Sequence, residues 1–272
     1  MTTATLTSGR RSAGPAETPR WSFGNVVAAE FTKLFTLRST FVIAAIMVLI
    51  SVGFAALIAG TWGDIGATAS AGVVYASVIA SSVSFAQLVI GVFAVLIVSN
   101  EYATNMIQST LLATPRRLPV LAAKMITAGV VSLVLSALSS LLSYVVAAAM
   151  FDSQELHAPL SDPKVIGAMA GSALYVLIVA LFSTTIASVV RSSAAGIAVV
   201  AGVFFVLPII AQLVKFGDVT LGTFILGGAA QNITGSFWQD GVQDLATCWI
   251  VAAVWIVIPA LASVVLLTKR DA

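Results

Sequence analysis

Residues Phe41–Gly60 read FVIAAIMVLISVGFAALIAG, a stretch with no charged side chain. At about 1.5 Å per residue, a helix of that length crosses the roughly 30 Å hydrocarbon core of a bilayer. Five further blocks share its character: Val73–Val98, Val120–Met150, Val165–Val190, Ala194–Val214 and Leu245–Thr268. None of the six contains Asp, Glu or Arg, and their only lysine is Lys124, near the start of the third. The third block is long enough to tilt or to project beyond the membrane. The pattern predicts an all-α polytopic membrane protein with six transmembrane helices.

The composition agrees. Of 272 residues, 59% are hydrophobic and 9% charged, and the mean hydropathy is +1.06. A soluble domain carries about a quarter charged residues, and disordered chains are poor in apolar residues. Both classes are excluded. A net charge of +2 is too small to argue for nucleic acid. The lone Cys248 cannot form an intrachain disulfide, so redox compartment cannot be read from it.

An even number of spans leaves both termini on one side, and the charges indicate which. Of the 13 Lys and Arg, 11 fall on the side of the termini. They are Arg10, Arg11, Arg20, Lys33 and Arg38, then Arg116, Arg117 and Lys124, then Arg191, Lys269 and Arg270. The other side holds Lys164 and Lys215 among seven acids, Asp64, Asp152, Glu155, Asp162, Asp218, Asp240 and Asp244. The positive-inside rule therefore places both termini in the cytoplasm.

Residues 1–20 are polar and rich in Ser, Thr and Pro, as in a disordered cytoplasmic tail, and 21–272 read as one membrane domain. The first apolar block is too long for a signal-peptide core and lacks an A-x-A exit site, so the chain is expected to stay in the membrane. Trp21–Thr40 reads as a short interfacial helix. Phe23, Val27, Phe31 and Leu34 recur on one face, with Glu30 and Lys33 elsewhere on its surface. Trp21 and Arg38 suit headgroup depth. The plainer alternative is a generic anchor for the first span.

Between spans two and three, Met106, Ile107, Leu111 and Leu112 give residues 100–117 an apolar stripe that Pro115 ends. Arg116 and Arg117 follow. Such a helix can dock into a partner's groove, whereas a topological signal needs no amphipathic segment. On the other side, 215–244 contains Phe224–Ala230, apolar but too short to span. Helices dipping into the outer leaflet or an ordinary loop both fit.

Absent residues narrow the function. Ion-coupled transport needs ionisable groups at membrane depth, and no span has one near its centre. Gln87 is the most unusual residue there, either an interhelical clamp or a pocket contact. The hydroxyls Ser136, Ser139, Ser140, Ser143, Ser183, Thr184 and Thr185 read as packing groups. His157 stands alone with Asp152, Glu155 and Asp162 in a loop without metal-ligand spacing, so no metal is expected. There is no nucleophile elbow, zincin motif or P-loop, so the chain is not expected to be an enzyme or to hydrolyse ATP. Gly167–Gly171 and Ala198/Gly202 are small-xxx-small pairs that suit either intrasubunit packing or a dimer interface. Pro208 and Pro259 can kink spans five and six.

Two segments carry a family likeness. One is Ala29-Glu30-Phe31-Thr32-Lys33-Leu34-Phe35-Thr36-Leu37-Arg38-Ser39-Thr40; the other runs from Glu101-Tyr102 through Thr110-Leu111 and Pro115-Arg116-Arg117 to Ala123-Lys124. They resemble the E-x-x-K-L-x-x-x-R-S-T entry and the E-Y-x-x-G-T…T-L…P-x-R…A-K connection of ABC-2 type transporter permeases, the transmembrane subunits of bacterial ABC transporters, in an actinobacterial-looking form. Asn105-Met106 stand where the family often has Gly-Thr; Asn is the non-glycine residue most tolerant of left-handed backbone.

The resemblance implies a dimer of membrane subunits, of identical copies or paralogues, with two separate nucleotide-binding ATPase subunits. ATP and Mg would sit on those partners and no cofactor on this chain. Residues 101–117 would be the coupling helix, with Glu101, Tyr102, Ile107, Leu111, Leu112, Arg116 and Arg117 as ATPase-coupling residues. Glu30, Phe31, Lys33 and Arg38 would belong to the interfacial helix, and 215–244 to an extracellular re-entrant segment. Spans one, two and five would line the cavity, making Gln87, Phe85, Phe204 and Phe205 the candidate substrate path. The expectation is an exporter of a hydrophobic or amphipathic drug-like compound, lipid or peptide across the bacterial plasma membrane. The alternative is a non-transporting immunity or sensor protein that binds a toxic peptide or a partner protein.

Overall fold

The computed structural model describes residues 22–61, 69–104, 106, 117–152, 155–213, 215–216, 219–240 and 244–269. Helix α1 covers Phe23–Thr36 and ends where Leu37 takes extended backbone (ψ 120°). Helix α2, Arg38–Thr61, begins at once. The interfacial helix is therefore shorter than the apolar pattern implied, and Arg38 opens the first span instead of closing that helix. Trp21 lies outside the described residues.

Helices α3 (Ala71–Ala103), α4 (Arg117–Phe151) and α5 (Pro163–Val190) form spans two to four. Span five is composite: α6 (Ser193–Ala201), a π-helical turn (Gly202–Val206) and α7 (Leu207–Leu213). Pro208 follows the π turn and has no N–H to return to the Phe204 carbonyl. After it come a short antiparallel pair, β1 (Lys215–Phe216) with β2 (Val219–Thr220), a 3-10 turn (Leu221–Phe224) and α8 (Leu226–Gly235). Helix α9, Leu245–Lys269, is the sixth span and continues through Pro259. Among the described residues, six helical segments are long and apolar enough to cross a membrane, and they overlap the six apolar blocks. The protein is an all-α, multi-pass membrane protein.

Local chemistry sets the corners. The Asp162 carboxylate accepts from the Lys164 backbone N–H at 2.8 Å, and Pro163 stands at the first position of α5, where no N–H is needed. At the other end of α5, Arg191 adopts left-handed backbone (φ 56°) and turns the chain into α6.

Helices α3 and α5 are the hub. In their best spanning windows 56% and 61% of residues are buried, against 17% in α2 and 11% in α9. Helix α3 packs on α5, α2 and α4, while α6 lies against α3 and α8 sits between α5 and α9. The last contact depends on glycine. A Cβ on Gly167 would lie 2.1 Å from the Phe237 carbonyl oxygen, and one on Gly171 would lie 2.8 Å from that of Thr234. The small-residue pair in span four thus seats the chain's own α8 segment. At Gly202 nothing lies within 4 Å of an added Cβ.

Because backbone cannot give way as a flexible side chain can, Gly167→Leu should destabilise the protein by about 2 kcal/mol or more. Gly202→Ala, in helical backbone with open space, should change stability by less than about 1 kcal/mol. Thermal unfolding of the detergent-solubilised variants, followed by tryptophan fluorescence, checks the contrast.

Candidate functional site

The face of α1 turned toward the bundle combines part of its apolar stripe with a carboxylate. Glu30 and Leu34 are its buried residues, while Phe23 and Phe35 are exposed and Phe31 stacks on Phe35 with centroids 6.4 Å apart. The reason is physical. Beside a membrane the surroundings are themselves apolar, so phenylalanines are at home outside and a carboxylate must look inward for partners.

Glu30 finds them. Its Oε1 lies 2.7 Å from Lys33 Nζ and its Oε2 lies 2.8 Å from Lys124 Nζ. Both ammonium groups also reach Glu101 Oε1, each at 2.8 Å. Two carboxylates and two ammoniums close a ring of alternating charge whose net charge is zero. Glu30, Glu101 and Lys124 are buried, whereas about a third of the Lys33 side chain is exposed (31%). Burial opposes the charge on Lys33, but hydrogen bonds and attraction from Glu101 and Glu30 outweigh it and hold its pKa above the ordinary lysine value. That preference for the folded, charged lysine is fully present through neutral pH and fades only as pH rises through its raised pKa.

The ring joins α1, the end of α3 and the beginning of α4. The last two flank the connection from residue 104 to residue 117. Next to Glu101, Tyr102 carries the Arg191 guanidinium over its ring, 5.2 Å from the centroid. The α5–α6 corner is thereby tied to the same point. Of the other residues assigned to coupling, Arg117 is the first residue of α4; Ile107, Leu111, Leu112 and Arg116 lie outside the described residues.

A cavity of about 330 Å³ adjoins the ring between α1, α2 and α3, walled by residues such as Leu37, Ile43, Phe93 and Ile97. A larger one, about 770 Å³, lies further along α3 toward its N-terminus. All four residues of the candidate substrate path line it: Phe85 and Gln87 from α3, Phe204 and Phe205 from the π turn. Phe85 stacks on Phe54 of α2, with centroids 4.0 Å apart. Along α3 the two cavities are separated by close packing. A Cβ on Gly91 would lie 2.5 Å from Val200 of α6, and one on Gly196 would lie 2.9 Å from Val95.

Behind the wall of the larger cavity the buried Tyr175 hydroxyl of α5 donates to Gln87 Oε1, and the Gln231 side chain of α8 also hydrogen-bonds that hydroxyl. Tyr175, Gln231 and Arg191 were not singled out as site residues from the sequence. Lys124 did carry a signal, as the only ionisable residue in any apolar block. Of the span hydroxyls singled out, Ser143, Thr184 and Thr185 are hydrogen-bonded, while Ser136, Ser139, Ser140 and Ser183 are buried without a partner among the described residues. Thr184 and Thr185 donate to their own helix, and Ser82 joins Ser143 across helices at 2.9 Å. His157 is exposed, and no group of three potential metal ligands occurs among the described residues.

The sequence pattern of ABC-2 family transporter proteins matches residues 26–208 of this chain. The chain belongs to that family. The match contains the whole ring and reaches to the end of the π turn in span five. No match was found among curated proteins. The protein is a membrane transport component, not itself the catalyst.

Removing one member of a buried ion cluster leaves another charge uncompensated. Lys124→Met should therefore cost about 3–5 kcal/mol. Adding Glu30→Gln restores charge balance and should recover part of that loss. Lys33→Met should cost less than Lys124→Met, because its ammonium is partly solvated. Thermal unfolding of the three variants tests the order, and a Lys124→Met protein as stable as the parent would dismiss the ring.

Proposed function

We propose that this chain is the transmembrane permease subunit of an ATP-driven ABC exporter. It works as a dimer of membrane subunits, a second copy or a paralogue, with two separate nucleotide-binding subunits that bind ATP and Mg. Its place is the bacterial plasma membrane, with both termini in the cytoplasm, where 11 of the 13 Lys and Arg then lie. The cargo is hydrophobic or amphipathic.

The observation that carries this reading is the charge ring. It links three helices at both ends of one connection, 104–117, whose sequence is amphipathic and ends in Arg116-Arg117. Closure of the partner ATPases on ATP displaces that connection. The ring makes α1, α3 and α4 move with it, and the contact of Arg191 with Tyr102 passes the displacement to the corner between spans four and five. Span five, with α3 and α8, walls the larger cavity. Coupling works through discrete arrangements of packed elements, and the glycine contacts between α3 and α6 supply a tight joint on which they can rock.

Replacing Leu111 and Leu112 by Asp places two charges on the apolar stripe proposed to dock on the ATPase. With the ATPase co-expressed, Leu111→Asp/Leu112→Asp should abolish its co-purification and ATP-dependent transport, while thermal unfolding of the membrane domain stays near that of the parent. Normal transport by this variant would sink the docking role. Failure of any ATPase to associate with the parent protein would favour the immunity or sensor reading instead.

A further inference from the structure

The larger cavity has a chemistry narrower than its membrane setting requires. Lipid demands only apolar surface, yet this wall carries four side-chain amides, Gln87, Gln231, Asn232 and Gln239. Its described lining contains no Asp, Glu, Lys, Arg or His. Asp240, next in the chain after Gln239, is fully solvated and lies 3.8 Å from Lys164.

Gln87 is the informative member. It is buried, and its Oε1 is taken by the Tyr175 hydroxyl. No other hydrogen bond of Gln87 is formed among the described residues, which leaves its amide nitrogen as a donor without a partner. Buried donors left unmet are costly, so such groups mark where an acceptor belongs. The Gln87 amide N–H, on the cavity wall and without a partner among the described residues, faces a ligand that brings oxygen acceptors. The absence of a charged residue in the described wall disfavours an ionic ligand, since a buried ion without a counter-charge is expensive. Phe85 and Phe205 offer apolar faces beside the amides, and the volume falls within the roughly 300–1,000 Å³ usual for small-molecule sites.

We propose that this cavity recognises an electrically neutral amphiphile, one with hydroxyl, ether or carbonyl oxygens on an apolar frame, and that it discriminates against cations and anions of the same apolar content. The proposal rests on the transport reading for its physiological meaning, but not for its test. Gln87 donates to the ligand. Tyr175 is a positioning residue, because it holds the Gln87 amide in one orientation.

The test uses the full chain in lipid nanodiscs without nucleotide. Cys248 is the only cysteine and is buried, so Cys248→Ala with Ser81→Cys places a single thiol in the cavity wall. The rate of its reaction with a maleimide is measured with octyl glucoside, octyltrimethylammonium or octyl sulfate, each below its micellar concentration and matched for the amount in the bilayer. Octyl glucoside should slow labelling by about tenfold at a level where the two ions change it less than about twofold, the selectivity expected from one or two hydrogen bonds.

Gln87→Met and Gln231→Met should each remove most of that protection, and Gln231→Glu should shift the preference toward octyltrimethylammonium. Gln231 is exposed at the surface, so its variants decide the matter even where the buried Gln87→Met fails to fold. Equal protection by all three amphiphiles, protection by none, or protection unaffected by the Gln231 variants overturns the proposal. Selective protection in a protein that never associates with an ATPase would leave the site standing and sink the transport reading; ATPase coupling without selective protection would do the reverse.

Discussion

A charge inside a bilayer has no water to fall back on, and the arrangement of this protein at one end of its bundle follows from that. Lys124 is the only ionisable residue within the six apolar blocks, and alone it would be costly to bury. Glu30 and Glu101 come to it from helices remote in sequence, and Lys33 completes the neutrality. Meeting that demand fixes where α1 lies, since Glu30 can reach Lys124 only if α1 rests on the first turns of α4. It also fixes the end of α3, whose Glu101 must approach the same ammonium. An electrostatic requirement of one lysine therefore becomes the positional frame of three helices. Substituting one member breaks two ion pairs, because each carboxylate meets both ammoniums and each ammonium both carboxylates.

Much of the architecture was legible because its determinant is one-dimensional. A span needs length and apolarity, and both can be counted along the chain; hence the six blocks and the six long helices overlap. Corners such as Asp162-Pro163 were written locally too. The orientation of α1 was not legible, since helical periodicity shows that a helix has two faces but does not say which neighbour is protein and which is lipid. Of the stripe Phe23, Val27, Phe31 and Leu34, Leu34 is buried and Phe23 exposed, and Glu30 is inward beside Leu34. The motif residues of α1, α3 and α4 could each be seen in the sequence. Their convergence could not, because it depends on packing between segments separated by 68 and 94 positions.

Span five shows a further limit. Pro208 announces an interruption, yet not its form. The π turn over Gly202–Val206 carries Phe204 inward, where it is almost fully buried against Phe182, and leaves Phe205 only partly covered beside the cavity. A regular α-helix would distribute these two adjacent rings differently about its axis, as π turns inserted in α-helices often do at functional positions. The glycines of span four are similar. Gly167 and Gly171 looked equally suited to a second subunit, and only the three-dimensional path of α8 and the turn after it occupies their surface.

The two ends of α3 apply one physical rule to opposite purposes. At Glu101 three of the four charges in a cluster are buried, and every charge is answered by another within the chain, although Glu101 Oε2 itself has no hydrogen-bond partner among the described residues. At Gln87 the polar atoms are uncharged, and one of them is held by Tyr175 while its neighbour is left without an answer. A satisfied buried network fixes structure; an unsatisfied one invites something to complete it. Between them α3 packs so closely on α6, at Gly91 and Gly196, that neither end can shift independently by bending a side chain aside. Among the described helices α3 is the one that contributes residues to both cavities, and its middle packs closely on span five, so it is the element that joins the charged end to the neutral one.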